Sequence, residues 1–145
     1  MKIEEILFLE TENSCAYCRD NQRDNLSIHH IDGNRTNKDY DNQIVLCHNC
    51  HHRVTNRKGI YKRDIINIKK ILIYKTLTQY GVNALKIAYR KKGRIVAIPF
   101  LLYHLVDMGY FKQTETQLWQ DDVDILANFE LTEEGERLFC RWFLK

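Results

Sequence analysis

The sequence predicts an α+β protein built as two small modules joined by a helix. Three features of the 145-residue chain lead there. Two C-x-x-C pairs, Cys15 with Cys18 and Cys47 with Cys50, are separated by 28 residues. Two short β-type runs, Leu26-Ser27-Ile28 and Ile44-Val45-Leu46, each lead into a cluster of histidines or cysteines. Beyond residue 60, apolar residues recur at helical spacing and then give way to a second alternation of helix and strand signals.

Taken in order, residues 3–9 form a short amphipathic helix leading into the first C-x-x-C turn. Leu26-Ser27-Ile28 is a strand running into His29-His30, and Asp32-Gly33-Asn34 is a turn signal. Residues 33–42 are a polar loop. Ile44-Val45-Leu46 is a second strand, and a helix starts near Asn49 and continues past Arg53. Asp64 is placed to cap a helix running to about Tyr80, with Ile65, Ile68, Ile71 and Leu72 as its apolar stripe and Gly81 as its stop.

The second module opens on a helix through residues 84–89 and a turn at Lys91-Lys92-Gly93-Arg94. Pro99 suits the first turn of a helix ending at Gly109. Residues 110–113 and 127–131 read as strands joined by a polar loop containing Asp121, Asp122 and Asp124. Thr132 caps a last helix whose acidic first turn complements the helix dipole, although Gly135 is a poor helix former. These readings place the boundaries at 1–60, 61–81 and 82–145.

The net charge of +3 hides a segregated pattern. Residues 1–60 carry 8 Lys/Arg and 9 Asp/Glu, residues 61–100 carry 10 and 1, and residues 101–145 carry 4 and 9. A basic middle is the electrostatic footprint of a phosphate-backbone partner, and also the pattern of a solvated helix face. On the first reading Lys62, Arg63, Lys69, Lys70 and Lys75 track phosphates. No segment approaches the ~20 apolar residues of a membrane span. The apolar run Ile6-Leu7-Phe8-Leu9, flanked by glutamates, is too short for a signal-peptide core. A cytoplasmic protein without membrane attachment is the expectation.

Paired C-x-x-C turns in such a chain read as a tetrahedral zinc site before a disulfide framework. Each turn sets two sulfurs on one side of a knuckle, and two knuckles complete a four-sulfur shell of Cys15, Cys18, Cys47 and Cys50. Cys140, alone near the C-terminus, is expected to be a small buried apolar residue.

With the strand ending at His30 beside the helix starting near Asn49, His29, His30, His51 and Asn42 converge. That set suits phosphodiester hydrolysis. A neutral imidazole deprotonates water near neutral pH, and a divalent cation stabilises the phosphorane and the leaving oxygen. Arg53 is a further candidate phosphate contact. His48, His52 and His104 read as solvated or packed.

The stretches C-A-Y-C at 15–18, L-S-I-H-H-I at 26–31, D-N-Q-I-V-L-C at 41–47 and C-H-H-R at 50–53 resemble the HNH endonucleases of ββα-metal type. The resemblance covers about residues 12–57. It implies His30 as general base, His29 and His51 as ligands of a catalytic divalent metal such as Mg2+ or Mn2+, and Asn42 as a residue that orients the base or helps bind the metal. It also matches the structural zinc. The chain departs from the family where Asp often stands in place of His29, and where some members carry a second helical His, here Thr55. The stretches 99–111 and 129–139 resemble, less specifically, the recognition helix, wing and closing helix of a winged helix-turn-helix domain.

The implied function is a metal-dependent endonuclease acting on DNA. Cutting both strands would require a homodimer or two events. The alternatives are a non-catalytic zinc-stabilised DNA-binding regulator, and a nuclease effector subunit of a larger restriction or antiphage complex docked on a partner protein.

Overall fold

The computed structural model describes residues 1–144. It is an α+β protein with five α-helices and two small antiparallel sheets among the described residues. The chain divides into two compact units, 1–76 and 77–145.

In the first unit, helix α1 spans Ile3–Glu10 and buries Ile6 and Leu7. Strands β1 (Leu26–His30) and β2 (Gln43–Cys47) pair antiparallel, with Leu26 opposite Cys47 and His30 opposite Gln43. Every residue of β2 is buried. Helix α2 (His48–Thr55) follows at once, because Cys47 is its N-cap and the Cys47 sulfur accepts the Cys50 N–H. The order strand, loop, strand, helix agrees with the sequence reading, and both strands extend to the residues that bear chemistry.

Helix α3 spans Lys62–Arg90 and is interrupted at Thr78, where φ is 64°. The break therefore lies three residues ahead of Gly81, the expected stop. Residues up to Thr76 belong to the first unit. Up to Thr76 the buried positions of α3 are Ile65, Lys69, Leu72 and Ile73, whereas Ile71 is 70% exposed. The helical stripe is real, but Lys69 lies in it and Ile71 does not. Asp64 does not sit at the N-cap; its carboxylate accepts the Tyr61 N–H from inside the first turn.

In the second unit, β3 (Arg94–Ala97), β4 (Phe111–Gln120) and β5 (Val123–Leu131) form a sheet of order β3-β5-β4. The expected strands were too short: β4 and β5 continue through the segment read as a polar loop, leaving a tight turn at Asp121-Asp122, both with positive φ. β3 follows directly on the expected turn. Pro99 opens a 3-10 turn, and α4 is only Tyr103–Asp107. His104 donates to the Leu77 carbonyl at 2.8 Å, a group that the break at Thr78 leaves without its regular helical partner.

The closing helix α5 (Glu133–Trp142) has Thr132 as N-cap, accepting the Gly135 N–H as expected. Gly135 has a packing reason: a methyl group there would collide with the Tyr110 carbonyl oxygen. Cys140 is half-buried rather than buried. No helix among the described residues is long and apolar enough to cross a membrane.

Candidate active site

Four sulfurs come together first. The Sγ atoms of Cys15, Cys18, Cys47 and Cys50 all lie within 4.8 Å of one another, and those of Cys18 and Cys47 are 3.6 Å apart. A tetrahedron of Zn–S bonds near 2.3 Å places sulfurs roughly 3.8 Å apart. The backbone N–H groups of Cys18 and Cys50 point at the sulfurs of Cys15 and Cys47, at 3.5 and 3.4 Å. Ala16 N–H donates to the Val45 carbonyl at 2.9 Å, tying the first knuckle to β2.

The crowded thiols shift in opposite directions. Burial and the neighbouring sulfurs push the Cys50 thiol up. Burial also raises Cys15, but N–H groups of Cys18, Cys47 and Tyr17 outweigh it and leave that thiol below its usual range. Four thiols this close ionise together only when a dication neutralises them. The cluster can hold a metal ion such as zinc.

β1 then delivers the two histidines. The His29 and His51 rings meet edge to face with centroids 4.8 Å apart. His51 Nδ1 is 3.2 Å from the Ser27 hydroxyl, so Nε2 is the nitrogen left to face a ligand. Burial, then His51 and His30, lower the His29 pKa to about 4. Burial, followed by Arg35 and His48, lowers that of His51. Both rings are therefore neutral near pH 7, the form that ligates metals.

His30 is placed differently. Its Nε2 is buried and meets no hydrogen-bond partner among the described residues. Burial and the nearby cations Lys38 and Arg35 lower its pKa, opposed by Asp32. His29 and His30 border one cavity of about 780 Å³, lined also by Asp32, Arg57, Lys62 and Arg63.

Asn42 acts through the loop rather than at the imidazoles. Its side chain donates to Asp32 Oδ1 at 2.9 Å and to the Asn37 carbonyl at 3.1 Å, and accepts the Asp32 N–H at 3.0 Å. Its carbonyl accepts the Ile31 N–H at 2.8 Å. These bonds clamp the chain directly after His30 and so fix that ring's backbone.

Several sequence readings are corrected or refined. Lys69 is fully buried against Glu10 and is no phosphate contact. Lys75 pairs with Glu12 at 2.9 Å. The Arg53 Nε donates to the Lys58 carbonyl at 3.0 Å, bracing the turn after α2. Lys62 and Arg63 do reach the histidine cavity, and Lys70 is exposed. His52 is exposed and contacts Asn56. Ser27, Arg35 and Arg57 were not singled out from the sequence. Ser27 could have been found, since it stands two residues before His29 and so shares its face of the strand.

No known family model matches the chain, and neither a curated protein nor a solved structure does.

Proposed function

We propose that this chain is a metal-dependent endonuclease of the HNH type, hydrolysing phosphodiester bonds in DNA with His30 as general base. The observation that carries the reading is the buried, partnerless Nε2 of His30 on the cavity that His29 also lines, with the His29–His51 pair beside it. A buried imidazole nitrogen without a partner is destabilising unless a water or substrate atom meets it.

Water held at Nε2 gives up a proton to His30 as its oxygen bonds to phosphorus, and the bond from phosphorus to the leaving sugar oxygen breaks. The neutral state of His30 near pH 7, favoured by its lowered pKa, is the one that accepts this proton. His29 and His51 would hold a divalent metal such as Mg2+ or Mn2+, which supplies charge neutralisation at the phosphate when bound. Arg57, Lys62 and Arg63 on the cavity wall draw the strand in. The four cysteines, loaded with zinc, hold β2 and α2 in register with the first knuckle.

The second unit is read as a winged-helix-like module, with the β4–β5 hairpin as its wing. That hairpin carries Glu115, Asp121, Asp122 and Asp124, together with exposed Leu118 and Trp119. Such a surface suits a protein partner better than a phosphate backbone. It favours, as a second reading, an effector subunit of a restriction or antiphage complex whose nuclease is engaged through that module.

The test is nicking of supercoiled plasmid in Mg2+ or Mn2+. Wild type is expected to nick, and His30→Ala to fall by about 10²–10⁴-fold, the range for loss of a general base, with zinc content and melting unchanged. His29→Asp is expected to shift ion preference toward Mg2+, since carboxylate suits hard cations. His30→Ala cutting at the wild-type rate overturns the assignment.

A further inference from the structure

The rim of the histidine cavity carries an aromatic ring with a guanidinium against it. Tyr61 lines the cavity and is 44% exposed. The Arg63 guanidinium lies 5.5 Å from the centre of the Tyr61 ring. The ring stands on fixed backbone. Tyr61 N–H donates to Asp64 Oδ2 at 2.9 Å, and the Tyr61 carbonyl accepts the N–H groups of Asp64 and Ile65. Tyr61 is thus anchored to the first turn of α3.

The charge around it is unbalanced. Arg57, Lys62 and Arg63 line the same cavity, and among the described residues none of the three pairs with a carboxylate. Cations alone fit any phosphate backbone. The ring selects further, because base faces in a duplex are covered by their neighbours, whereas an unpaired strand presents them. Aromatic side chains beside a basic groove are how sequence-tolerant recognition of single strands is built.

We propose that Tyr61 and Arg63 form a stacking shelf for a nucleobase next to the scissile phosphate, making single-stranded DNA the substrate of this site. The proposal rests on the nuclease reading for the position of that phosphate. A base laid on Tyr61 leaves its own phosphate within the field of Arg57 and Lys62, beside His30.

The experiment uses the full, zinc-loaded chain carrying His30→Ala, so that the nucleic acid survives. Fluorescence anisotropy measures binding to a labelled single-stranded DNA 12-mer and to a 12-base-pair hairpin duplex. Tyr61→Ala on this background is expected to weaken single-strand binding by about 5- to 150-fold, the range for one stacked base. Duplex binding should change less than twofold. Tyr61→Phe should restore single-strand binding, and melting curves confirm that all variants fold. Single-strand binding unchanged in Tyr61→Ala, or weakened equally for both DNAs, overturns the shelf. A chain that shows the Tyr61-dependent preference but never nicks in its His30 form keeps the shelf and sinks the nuclease reading. A chain that nicks without that dependence does the reverse.

Discussion

The Lys69 ammonium lies 2.6 Å from the Glu10 carboxylate, and both side chains are sealed from solvent. The Thr76 hydroxyl donates to the same carboxylate at 2.9 Å, the Tyr40 hydroxyl donates to it as well, and Lys69 sits 3.8 Å above the centre of the Tyr40 ring. Burial lowers the Lys69 pKa, and Glu10 and Asp41 oppose that shift. The pair joins α1 to α3 through the core of the first unit.

Removing one partner leaves the other charge buried and alone. Lys69→Ala is expected to destabilise the first unit by about 3–5 kcal/mol, measured by urea denaturation of the whole chain. The pair Glu10→Gln with Lys69→Met should recover much of that loss. Lys69→Ala at wild-type stability would contradict the burial.

The cations that do face solvent behave otherwise. Replacing Lys62, Arg63 and Lys70 with Gln should leave melting almost unchanged. For every phosphate that a cation no longer neutralises, the log–log salt dependence of DNA binding should flatten by about 0.7 on single strands and 0.9 on duplex. An unchanged slope would make this a plain solvated face.

Structural zinc supplies on the order of 10–16 kcal/mol of binding free energy in small domains. Cys47→Ser removes one sulfur from the shell and the cap of α2 together. Zinc content by atomic absorption should fall to background, with loss of structure in the first unit. A variant that keeps full zinc would show that Cys47 is no ligand.

Ser27 is expected to position His51 for the catalytic metal. Ser27→Ala frees the Nδ1 that the hydroxyl now meets, and loss of such a partner lowers metal affinity by about 10- to 100-fold. The Mn2+ concentration giving half-maximal nicking should rise accordingly while zinc content stays constant. An unmoved midpoint would leave Ser27 as packing alone.

His29 gives a pH signature. Its folded pKa is about 4, against about 6.5 in an unfolded chain. Above pH 6.5 it is neutral in both states and has no effect. As pH falls toward 4 the unfolded chain takes up the proton and the folded one does not, so stability declines through that window. Melting temperature should drop between pH 6.5 and 4, and His29→Gln should flatten that slope.

Much of the first unit was legible because its determinants are local. The C-x-x-C spacing gave the four-sulfur cluster, and the short β-type runs at 26–28 and 44–46 gave both strands, which the structure extends to His30 and Cys47. Lys69 was not legible as a core residue, because charge suggested a surface. Its position was nevertheless readable: it falls four residues after Ile65 and three before Leu72, on the buried stripe. The partner Glu10 lies 59 residues away, and nothing local announces it. In the second unit, the buried alternation through Ala127 and Phe129 was masked by the polar and acidic residues around it, so the hairpin looked like a loop. Its bulges between Gln113 and Trp119 break the period-2 pattern as well.

The Glu10 network also sets an order of events during synthesis. Glu10 leaves the ribosome early, but Lys69 and Thr76 follow 59 and 66 residues later. At 5–20 residues per second that wait lasts roughly 3–13 s. Through it the carboxylate lacks the ammonium and the Thr76 hydroxyl that complete its network. Cys15, Cys18, Cys47 and Cys50, with His29, His30 and His51, have emerged before then. The cysteine cluster therefore waits for a helix that contributes none of its sulfurs, and a chain cut after residue 60 would carry all four of them with Glu10 lacking Lys69 and Thr76.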